Sequence, residues 1–269
     1  MALLRRRRNP EGRMSLGDHL RELRRRLVIA AIAVALGSVV GWLQYDWLLT
    51  TLTEPLRVVS HQRAGSLVGI NFGGVTSAFS IKLKVSMFVG VLLASPVWLY
   101  ELWAFIVPGL TRREKRTAVG FICAAVPLFL GGCYLAHWAL PKAVEVLLGF
   151  TPTGAVNLTN ASDYLTFVTR FILAFGLAFL LPVLLVALNV AHVLPAHVML
   201  KGWRPAVMLI FVFAAMMTPT PDAWTMIALA MPMVGLYFGA YGVAVLLDRR
   251  RARHEPEWTH VADDEASAL

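Results

Sequence analysis

The residues of this 269-residue chain best suited to binding chemistry are a few carboxylates in strongly basic surroundings. Glu114 lies among four bases in the short stretch from Pro108 to Arg116, between two apolar segments long enough to cross a bilayer. A carboxylate accepts charge-assisted hydrogen bonds, so Glu114 is a candidate for holding an incoming cationic group. Thr111 and Glu114 also have capping-box spacing, and in that alternative Glu114 satisfies free amides at the start of the next helix.

A second carboxylate, Glu22, lies near the N-terminus on a predicted amphipathic helix. Ser15 and Asp18 have capping-box-like spacing, and the leucines that follow form one narrow apolar stripe. Glu22 projects away from this stripe, toward the rim of the membrane. Because Arg26 follows one turn later, the simplest expectation is a surface salt bridge between the two side chains.

Two further charges fall inside apolar segments. Glu101 lies one to two turns inside a predicted span, where a carboxylate usually faces protein or water, so it is a site candidate expected to point inward. Arg170, near the outer end of another span, is expected to extend to the lipid headgroups or to meet Asp163 two turns earlier. An alternative function is therefore a secondary transporter or channel that uses Glu101 and Arg170 as its pathway.

Catalytic patterns are missing from the sequence. No His, Cys or carboxylate pair has metal-ligand spacing, and neither a phosphate-binding glycine loop nor a nucleophile elbow occurs. We therefore predict no enzyme, no metal and no cofactor. His137, beside Trp138, is expected to belong to the aromatic belt of a membrane interface. A membrane-embedded hydrolase would require paired catalytic groups at similar depth, which the chain does not offer.

Composition places these residues in a membrane protein. Apolar residues make up 58% of the chain, charged residues only 15%, and the mean hydropathy is +0.65. These values and the apolar windows predict an all-α, polytopic integral membrane protein with six transmembrane helices. The spans are predicted near Leu27–Trp47, Lys84–Ile106, Ala118–Leu140, Tyr164–Val190, Pro205–Met217 and Trp224–Leu247.

The distribution of Lys and Arg predicts that both termini are cytoplasmic. An even number of spans puts the termini on one side, and most bases lie before Leu27, between Arg112 and Arg116, and after Leu247. The expected organisation is a cytoplasmic tail and amphipathic helix (1–26), a six-helix domain (27–247) and a disordered cytoplasmic tail (248–269). The net charge of +9 is spread over membrane-flanking segments, which favours anionic lipids over nucleic acid as the partner.

The fifth predicted span is too short to cross a bilayer unaided. Pro205–Met217 is about 20 Å long as a helix, against a hydrocarbon core of about 30 Å. Prolines 219 and 221 then enforce an extended turn that ends at Asp222. We expect this turn to dip into the membrane or to thin it locally. Asp222 would then lie at a wet, depressed turn, and the alternative is that it only caps the sixth helix.

Seven segments in register across the spans resemble the TatC family, the polytopic component of the twin-arginine protein translocase. Each segment is weakly specific alone, whereas their order and spacing over nearly the whole chain are highly specific. The segments are His19–Leu27, Glu54–Leu56, Phe79–Leu83, Ser95–Leu110, Glu114–Arg116, Ala174–Gly176 and Thr218–Asp222.

The resemblance implies a bowl-shaped, six-helix protein of the bacterial cytoplasmic membrane that recognises the twin-arginine motif of signal peptides on folded cargo. Glu22 and Glu114 match the acidic positions that bind the paired arginines in that family. Arg24 and Phe105 match other positions linked to recognition. The resemblance also implies TatA- and TatB-type single-span partners, a homo-oligomer within a larger complex, and the proton-motive force as energy source.

Three further residues, Pro55, Glu101 and Asp222, are predicted to have structural or transport-linked roles. The chain departs from the family pattern at Leu180, just before Pro182 in the fourth span, where an acidic residue is common. We therefore expect partner docking here not to depend on a charge in the fourth span. Selectivity for Arg-Arg over Lys-Lys is expected, because only guanidinium groups bind carboxylates in bidentate geometry.

Overall fold

The structure is a computed structural model that describes residues 16–62, 68–74, 76–106, 112–149, 157–191, 193–217 and 223–252. In these ranges the chain forms nine helices and two short strands. The helices are α1 (Leu16–Leu43), α2 (Tyr45–Gln62), α3 (Ser77–Leu93), α4 (Ser95–Ile106), α5 (Arg112–Gly149), α6 (Ala161–Val190), α7 (Ala196–Lys201), α8 (Trp203–Met217) and α9 (Ala223–Ala252); the strands are β1 (Val68–Asn71) and β2 (Asn157–Asn160).

Four helices are long and apolar enough to cross a membrane, over Gly17–Leu43, Val119–Gly149, Ala161–Val190 and Met226–Arg251. They correspond to the first, third, fourth and sixth predicted spans, and the predicted helical fold class is confirmed for this part of the chain. Length and composition support up to five crossings when α3 and α4 count as one bent span. The sixth crossing and the cytoplasmic location of the termini stay predictions.

The second predicted span is divided into α3 and α4, which meet at a bend of 61°. Ala94 ends α3 and its amide donates to the carbonyl oxygen of Gly90. Pro96 follows at the second residue of α4 and has no N–H to continue the hydrogen-bond ladder of α3. The bend therefore has an identifiable cause in the sequence, and it gives α4 its own direction.

The helix of the fifth predicted span, α8, has 15 residues, or about 22 Å at 1.5 Å per residue. It is shorter than a hydrocarbon core of about 30 Å, as the sequence predicts. The turn Thr218–Asp222 that follows lies outside the described residues. The expected thinning of the membrane there stays a prediction.

The two short strands are a feature that the sequence did not predict. β1 pairs with β2 in parallel, with Val68 opposite Asn157 and Asn71 opposite Asn160. Asn160 then begins α6, because its Oδ1 accepts a hydrogen bond of 2.9 Å from the amide of Ser162. Four-residue strands carry too little alternation to be recognised among apolar windows.

The chain divides into two compact units. Unit 1 comprises residues 1–130 and 151–171, and unit 2 comprises residues 131–150 and 172–269. Both α5 and α6 contribute to each unit. The predicted boundary at residue 27 falls inside α1, and the boundary at residue 248 falls inside α9. The predicted disordered tail lies, from residue 253 onward, outside the described residues.

In unit 1, α1 packs closely on α3 through small residues. A Cβ added to Gly90 would lie 2.5 Å from the carbonyl oxygen of Val34, and one added to Gly41 would lie 2.9 Å from Cα of Ser86. Small residues allow two helix backbones to approach and gain van der Waals contact, which drives helix association where no hydrophobic effect is available. This contact fixes α1 on the α3–α4 pair.

In unit 2, α7 and α9 share a core of small and flexible side chains. Ala196 and Met199 of α7 pack on Ala240 and Ala244 of α9. The hydroxyl of Tyr237 donates a hydrogen bond of 2.7 Å to the carbonyl oxygen of Met199. The apolar packing and this buried hydrogen bond together hold the short α7 against α9.

Candidate functional site

Three charged side chains meet in unit 1 where α1 approaches α4. Glu22 and Arg26 come from α1, and Glu101 comes from α4. Arg26 donates to Oε1 of Glu22 from Nε at 3.2 Å and from Nη2 at 2.5 Å. Its Nη1 donates to Oε2 of Glu101 at 3.1 Å. One guanidinium group is therefore held by two carboxylates, one of them 75 positions away from Arg26 in sequence. We call these three residues the Arg26 cluster.

The Arg26 cluster is only partly accessible. The exposed fractions of the side chains of Glu22, Arg26 and Glu101 are 26%, 19% and 13%. Partial burial strengthens each charge-assisted hydrogen bond, and it also makes either carboxylate costly to leave without a cation. The cluster holds two negative charges against one positive charge, in a chain whose formal net charge is +9. It is therefore locally anionic in strongly cationic surroundings.

Helix geometry explains one half of this cluster. Glu22 precedes Arg26 by four residues, the spacing and the order that bring an acid and a base together on one helix face. The salt bridge expected from the sequence is confirmed. It is not an isolated surface pair, however, because Glu101 completes it from another helix.

Aromatic packing positions the α4 half. Trp103 stacks on Phe121 of α5 with ring centroids 4.1 Å apart, and it is buried. Phe105 stacks on His19 of α1 at 4.5 Å. These two ring pairs fix the last turns of α4, and with them Glu101, against the neighbouring helices.

The structure places the other predicted site residues as follows. Arg24 lies on α1 with an exposed side chain, and Phe105 is half-buried against His19. Pro55 is buried within α2. The backbone of Glu114 lies in the first turn of α5, but its side chain is outside the described part of the structure.

Asp222 also lies outside the described residues. Both alternatives for Asp222, the depressed turn and the cap of the sixth helix, stay predictions. The alternative that Glu114 caps the next helix also depends on a side chain outside the described part of the structure. The start of α5 at Arg112, directly after Thr111, agrees with the capping-box spacing. Both residues keep the roles predicted from the sequence as predictions.

Within the described part of the chain, Glu101 and Arg170 do not pair with each other. Glu101 is engaged by Arg26, whereas the side chain of Arg170 is exposed on α6. Among the residues that the structure describes, neither Asp163 nor any other side chain pairs with Arg170. No observation in the structure therefore favours the transporter alternative.

Unit 2 contains a second polar cluster, formed by Asn189 of α6 with Asp248 and Arg251 of α9. Asp248 accepts hydrogen bonds from Asn189 Nδ2 at 3.0 Å and from the amide of Ala196 at 2.9 Å. Arg251 donates to the carbonyl oxygens of Asn189 and Val190 at 2.9 Å and 3.1 Å. The last carbonyls of a helix lack donors within that helix, so Arg251 caps α6. We call these three residues the α9 clamp.

Two lysines on α3 have different environments in unit 1. The ammonium of Lys82 lies 4.6 Å from the ring centroid of Trp42 and 5.3 Å from that of Tyr45. Lys84 donates to the hydroxyl of Thr166 at 2.5 Å. These contacts involve no carboxylate arrangement like that of the Arg26 cluster.

Near Leu180 the surface of unit 2 is apolar. A cavity of about 810 Å³ is lined by residues of α6, α7, α8 and α9, among them Leu181, Pro182 and Phe213. Leu180 itself is half-buried on α6. None of the described residues that line this cavity is charged.

Comparisons with known proteins bear on this arrangement of helices and charges. The profile of the family described as Sec-independent protein translocase protein (TatC) matches residues 18–232. The chain belongs to the TatC family. The match begins one residue before His19 and ends in α9, so it includes all three residues of the Arg26 cluster. Of the clamp it includes Asn189 only.

Relatives and solved structures agree with the family. The Sec-independent protein translocase protein TatC of Xylanimonas cellulosilytica is 53% identical over 90% of this chain and 87% of its own length. That of Frankia casuarinae is 40% identical over 96% of this chain and 74% of its own length. A crystal structure of the twin arginine translocase receptor TatC in DDM matches with a TM-score of 0.67 and 31% identity, covering 84% of this chain and 99% of that one.

Membership of the TatC family establishes the general role. The chain is a component of a protein translocase and acts in protein transport, not in catalysis. Together with its apolar helices, the family places it in the bacterial cytoplasmic membrane as a multi-pass protein.

Proposed function

We propose that this chain is the receptor and core scaffold of its translocase. It binds twin-arginine signal peptides of folded precursor proteins at the cytoplasmic face of the membrane. It then recruits TatA- and TatB-type single-span partners for export driven by the proton-motive force. Glu22 and Glu114 are the principal acceptors for the two arginines.

The Arg26 cluster is the observation that carries this proposal. Glu22 already binds a guanidinium group through two nitrogens, at 3.2 Å and 2.5 Å. A carboxylate held in this way by helix and neighbours is preorganised for the same group on a peptide. On a chain with net charge +9, such an anionic place is what distinguishes productive binding from general repulsion of a cationic peptide.

Further support comes from the elements that carry the other assigned residues. Arg24 follows Glu22 by two residues on α1, and Phe105 lies on α4 one turn beyond Glu101. Glu114 opens α5, directly after the stretch that follows α4. The positive-inside rule assigns this basic stretch to the cytoplasmic side. A solved relative is described as a receptor of the twin arginine translocase, which agrees with the same role here.

Loss of both acceptors is the decisive test. We expect the double variant Glu22→Ala/Glu114→Ala to lose photocross-linking to a twin-arginine precursor while inserting normally into the membrane. Hydrogen bonds to charged groups contribute about 1.5–3 kcal/mol each, so removing two acceptors reduces affinity by more than about 100-fold. A twin-lysine precursor should cross-link weakly to the unaltered protein.

A matched control separates specific acceptors from general negative charge. The variant Asp18→Ala/Asp264→Ala also removes two carboxylates, both from segments that the sequence predicts on the cytoplasmic side. It should retain cross-linking. Equal loss in both double variants, or equal cross-linking of twin-arginine and twin-lysine precursors to the unaltered protein, contradicts the proposed receptor function.

Partner recruitment is proposed to be independent of charge in the fourth span. The side chain at the position in question is Leu180, and the cavity beside it is apolar. We expect Leu180→Ala to co-purify with TatA- and TatB-type partners as the unaltered protein does. Loss of the partners in this variant, with normal insertion, contradicts this part of the proposal.

A further inference from the structure

We propose that Arg26 is a resident occupant of the signal-peptide site, and that a peptide arginine binds by exchanging with it between Glu22 and Glu101. This inference rests on the proposed receptor function. It assigns Glu101 as a further acceptor for the signal peptide and Arg26 as an internal competitor.

The geometry of the Arg26 cluster is that of an occupied guanidinium site. The donors of one planar group are divided between carboxylates of two helices, with Nε and Nη2 on Glu22 and Nη1 on Glu101. Three donors in one plane are available from a guanidinium group, whereas an ammonium group presents its donors from a single atom. The arrangement therefore selects arginine over lysine without any further contact.

Each carboxylate also retains an unused oxygen. Arg26 uses Oε1 of Glu22 and Oε2 of Glu101, and within the described residues the other oxygen of each has no hydrogen-bond partner. These oxygens can accept the first hydrogen bonds from an approaching guanidinium group while Arg26 is still bound. An exchange that begins in this way never leaves both carboxylates without a cation.

Charge balance favours exchange over simple departure of Arg26. If Arg26 left alone, two half-buried carboxylates would face each other unpaired, which is strongly unfavourable. If a peptide arginine replaces it, the cluster keeps the same charge and the same donors. Arg26 is attached to the side of α1 and its side chain is 19% exposed, so its long stem can turn toward the aqueous rim.

Internal competition has a measurable consequence of unusual sign. The apparent affinity for a ligand is the intrinsic affinity multiplied by the fraction of protein in which the site is free. Removing Arg26 should therefore strengthen binding of a twin-arginine peptide, although Arg26 contacts the acceptors directly. If Arg26 only orients Glu22 and Glu101, its removal should instead weaken binding.

The test is the affinity of full-length protein in detergent for a labelled twin-arginine peptide, measured by fluorescence anisotropy, with a twin-lysine peptide in parallel. We expect Arg26→Gln to bind the twin-arginine peptide about 10-fold more tightly than the unaltered protein. The matched control is Arg25→Gln, which removes the same charge from an exposed neighbour on α1. It should change the affinity by no more than about 2-fold, the effect of reduced general repulsion. In the Arg26→Gln background, where no resident arginine competes, Glu101→Gln should weaken binding about 10-fold.

A second variant protects the test against misfolding. Arg26→Lys keeps the positive charge but loses the planar donors, so the resident group is held less firmly. We expect it to fold normally and to bind the twin-arginine peptide about 3-fold more tightly than the unaltered protein. Melting temperatures of all variants identify any that are unfolded.

The outcomes separate this inference from the receptor function. If the unaltered protein prefers twin-arginine to twin-lysine peptide, but Arg26→Gln and Arg26→Lys bind no more tightly than Arg25→Gln, the exchange is refuted and the receptor function stands. Unchanged binding on adding Glu101→Gln to Arg26→Gln equally refutes the assignment of Glu101. If the unaltered protein shows no preference for twin-arginine peptide, the receptor function itself fails.

Discussion

The Arg26 cluster and the α9 clamp use the same kinds of residue for different purposes. Each pairs an arginine with a carboxylate a turn away on its own helix, Glu22 with Arg26 and Asp248 with Arg251. In the cluster, the other partner of the arginine is a second carboxylate, Glu101. In the clamp, the arginine instead donates to two backbone carbonyls at the end of α6.

This difference determines what each arginine can exchange with. The backbone carbonyls at the end of α6 are fixed in place and have no donor within their own helix. They therefore keep Arg251 as their hydrogen-bond donor. The carboxylates of the cluster are side chains with unused oxygens and an excess of negative charge. The clamp is therefore suited to holding the fold together, and the cluster to binding an external cation.

The largest effect should come from Glu22→Gln. The amide keeps the size of the side chain but removes the charge that holds a guanidinium group, so we expect twin-arginine peptide affinity to fall about 10- to 100-fold. The melting temperature should fall less than in a variant of the clamp, because Glu101 still pairs with Arg26. Peptide titration and thermal unfolding in detergent measure the two quantities. A large loss of stability with unchanged affinity would reverse the roles of the cluster and the clamp.

Arg251→Ala should show the opposite pattern. The variant removes the donor to two carbonyls of α6 and one of the donors to the carboxylate of Asp248. We expect a loss of stability of about 2–3 kcal/mol. Peptide affinity should stay within about 2-fold at temperatures where the variant is folded. Arg250→Ala, an exposed neighbour on α9, is the control for charge. A Tm equal to that of the unaltered protein would show that the clamp has no structural role.

Gly90→Ala tests whether packing far from the charges prepares the cluster. The added methyl group would lie 2.5 Å from the carbonyl oxygen of Val34, so α1 must move away from α3. Overpacking of this kind costs about 1–3 kcal/mol, and the shift of α1 should also weaken peptide binding several-fold. In the control Gly120→Ala, the new Cβ has no neighbour within 4 Å. Loss of stability without loss of affinity would show that the cluster is independent of this contact.

The smallest effect should be that of salt on peptide binding. Added salt weakens the attraction of the cluster for a cationic peptide and equally relieves the repulsion from a chain of net charge +9. We expect less than about a 3-fold change in affinity between 0.1 M and 0.5 M NaCl. A fall of more than 10-fold in the same titration would place binding on diffuse surface charge instead of on the cluster.

Sequence patterns predicted the helices well because apolar windows and helical spacing are local. The pair Glu22–Arg26 is predictable for the same reason. Glu101 was recognised as an unusual charge, but its partner depends on how α1 meets α4, and residues 75 positions apart have no signal in a single sequence. The bend before Pro96 did have a local signal, the proline itself, which the prediction of one continuous span passed over.

The α9 clamp and the two strands are harder to predict from the sequence than the helices. Asp248 and Arg251 were placed in a disordered tail because the apolar periodicity ends near Leu247, whereas α9 continues to Ala252. Their order comes from capping another helix, a tertiary effect that composition does not encode. Glu114 and Asp222 were singled out from their charge and position in the sequence, and only the signal-peptide role of Glu114 came from resemblance to a family. Neither side chain is among those described.

The break at Ala94 also makes α4 a short lever arm. Glu101 lies seven residues beyond the break, or about 10 Å along the axis, and Phe105 about 16 Å. A tilt of about 5° at the break moves Glu101 by roughly 1 Å, which is enough to lengthen a hydrogen bond out of range. A small change of the bend at Ala94 can thus weaken the hydrogen bond between Glu101 and a guanidinium group without unfolding any helix.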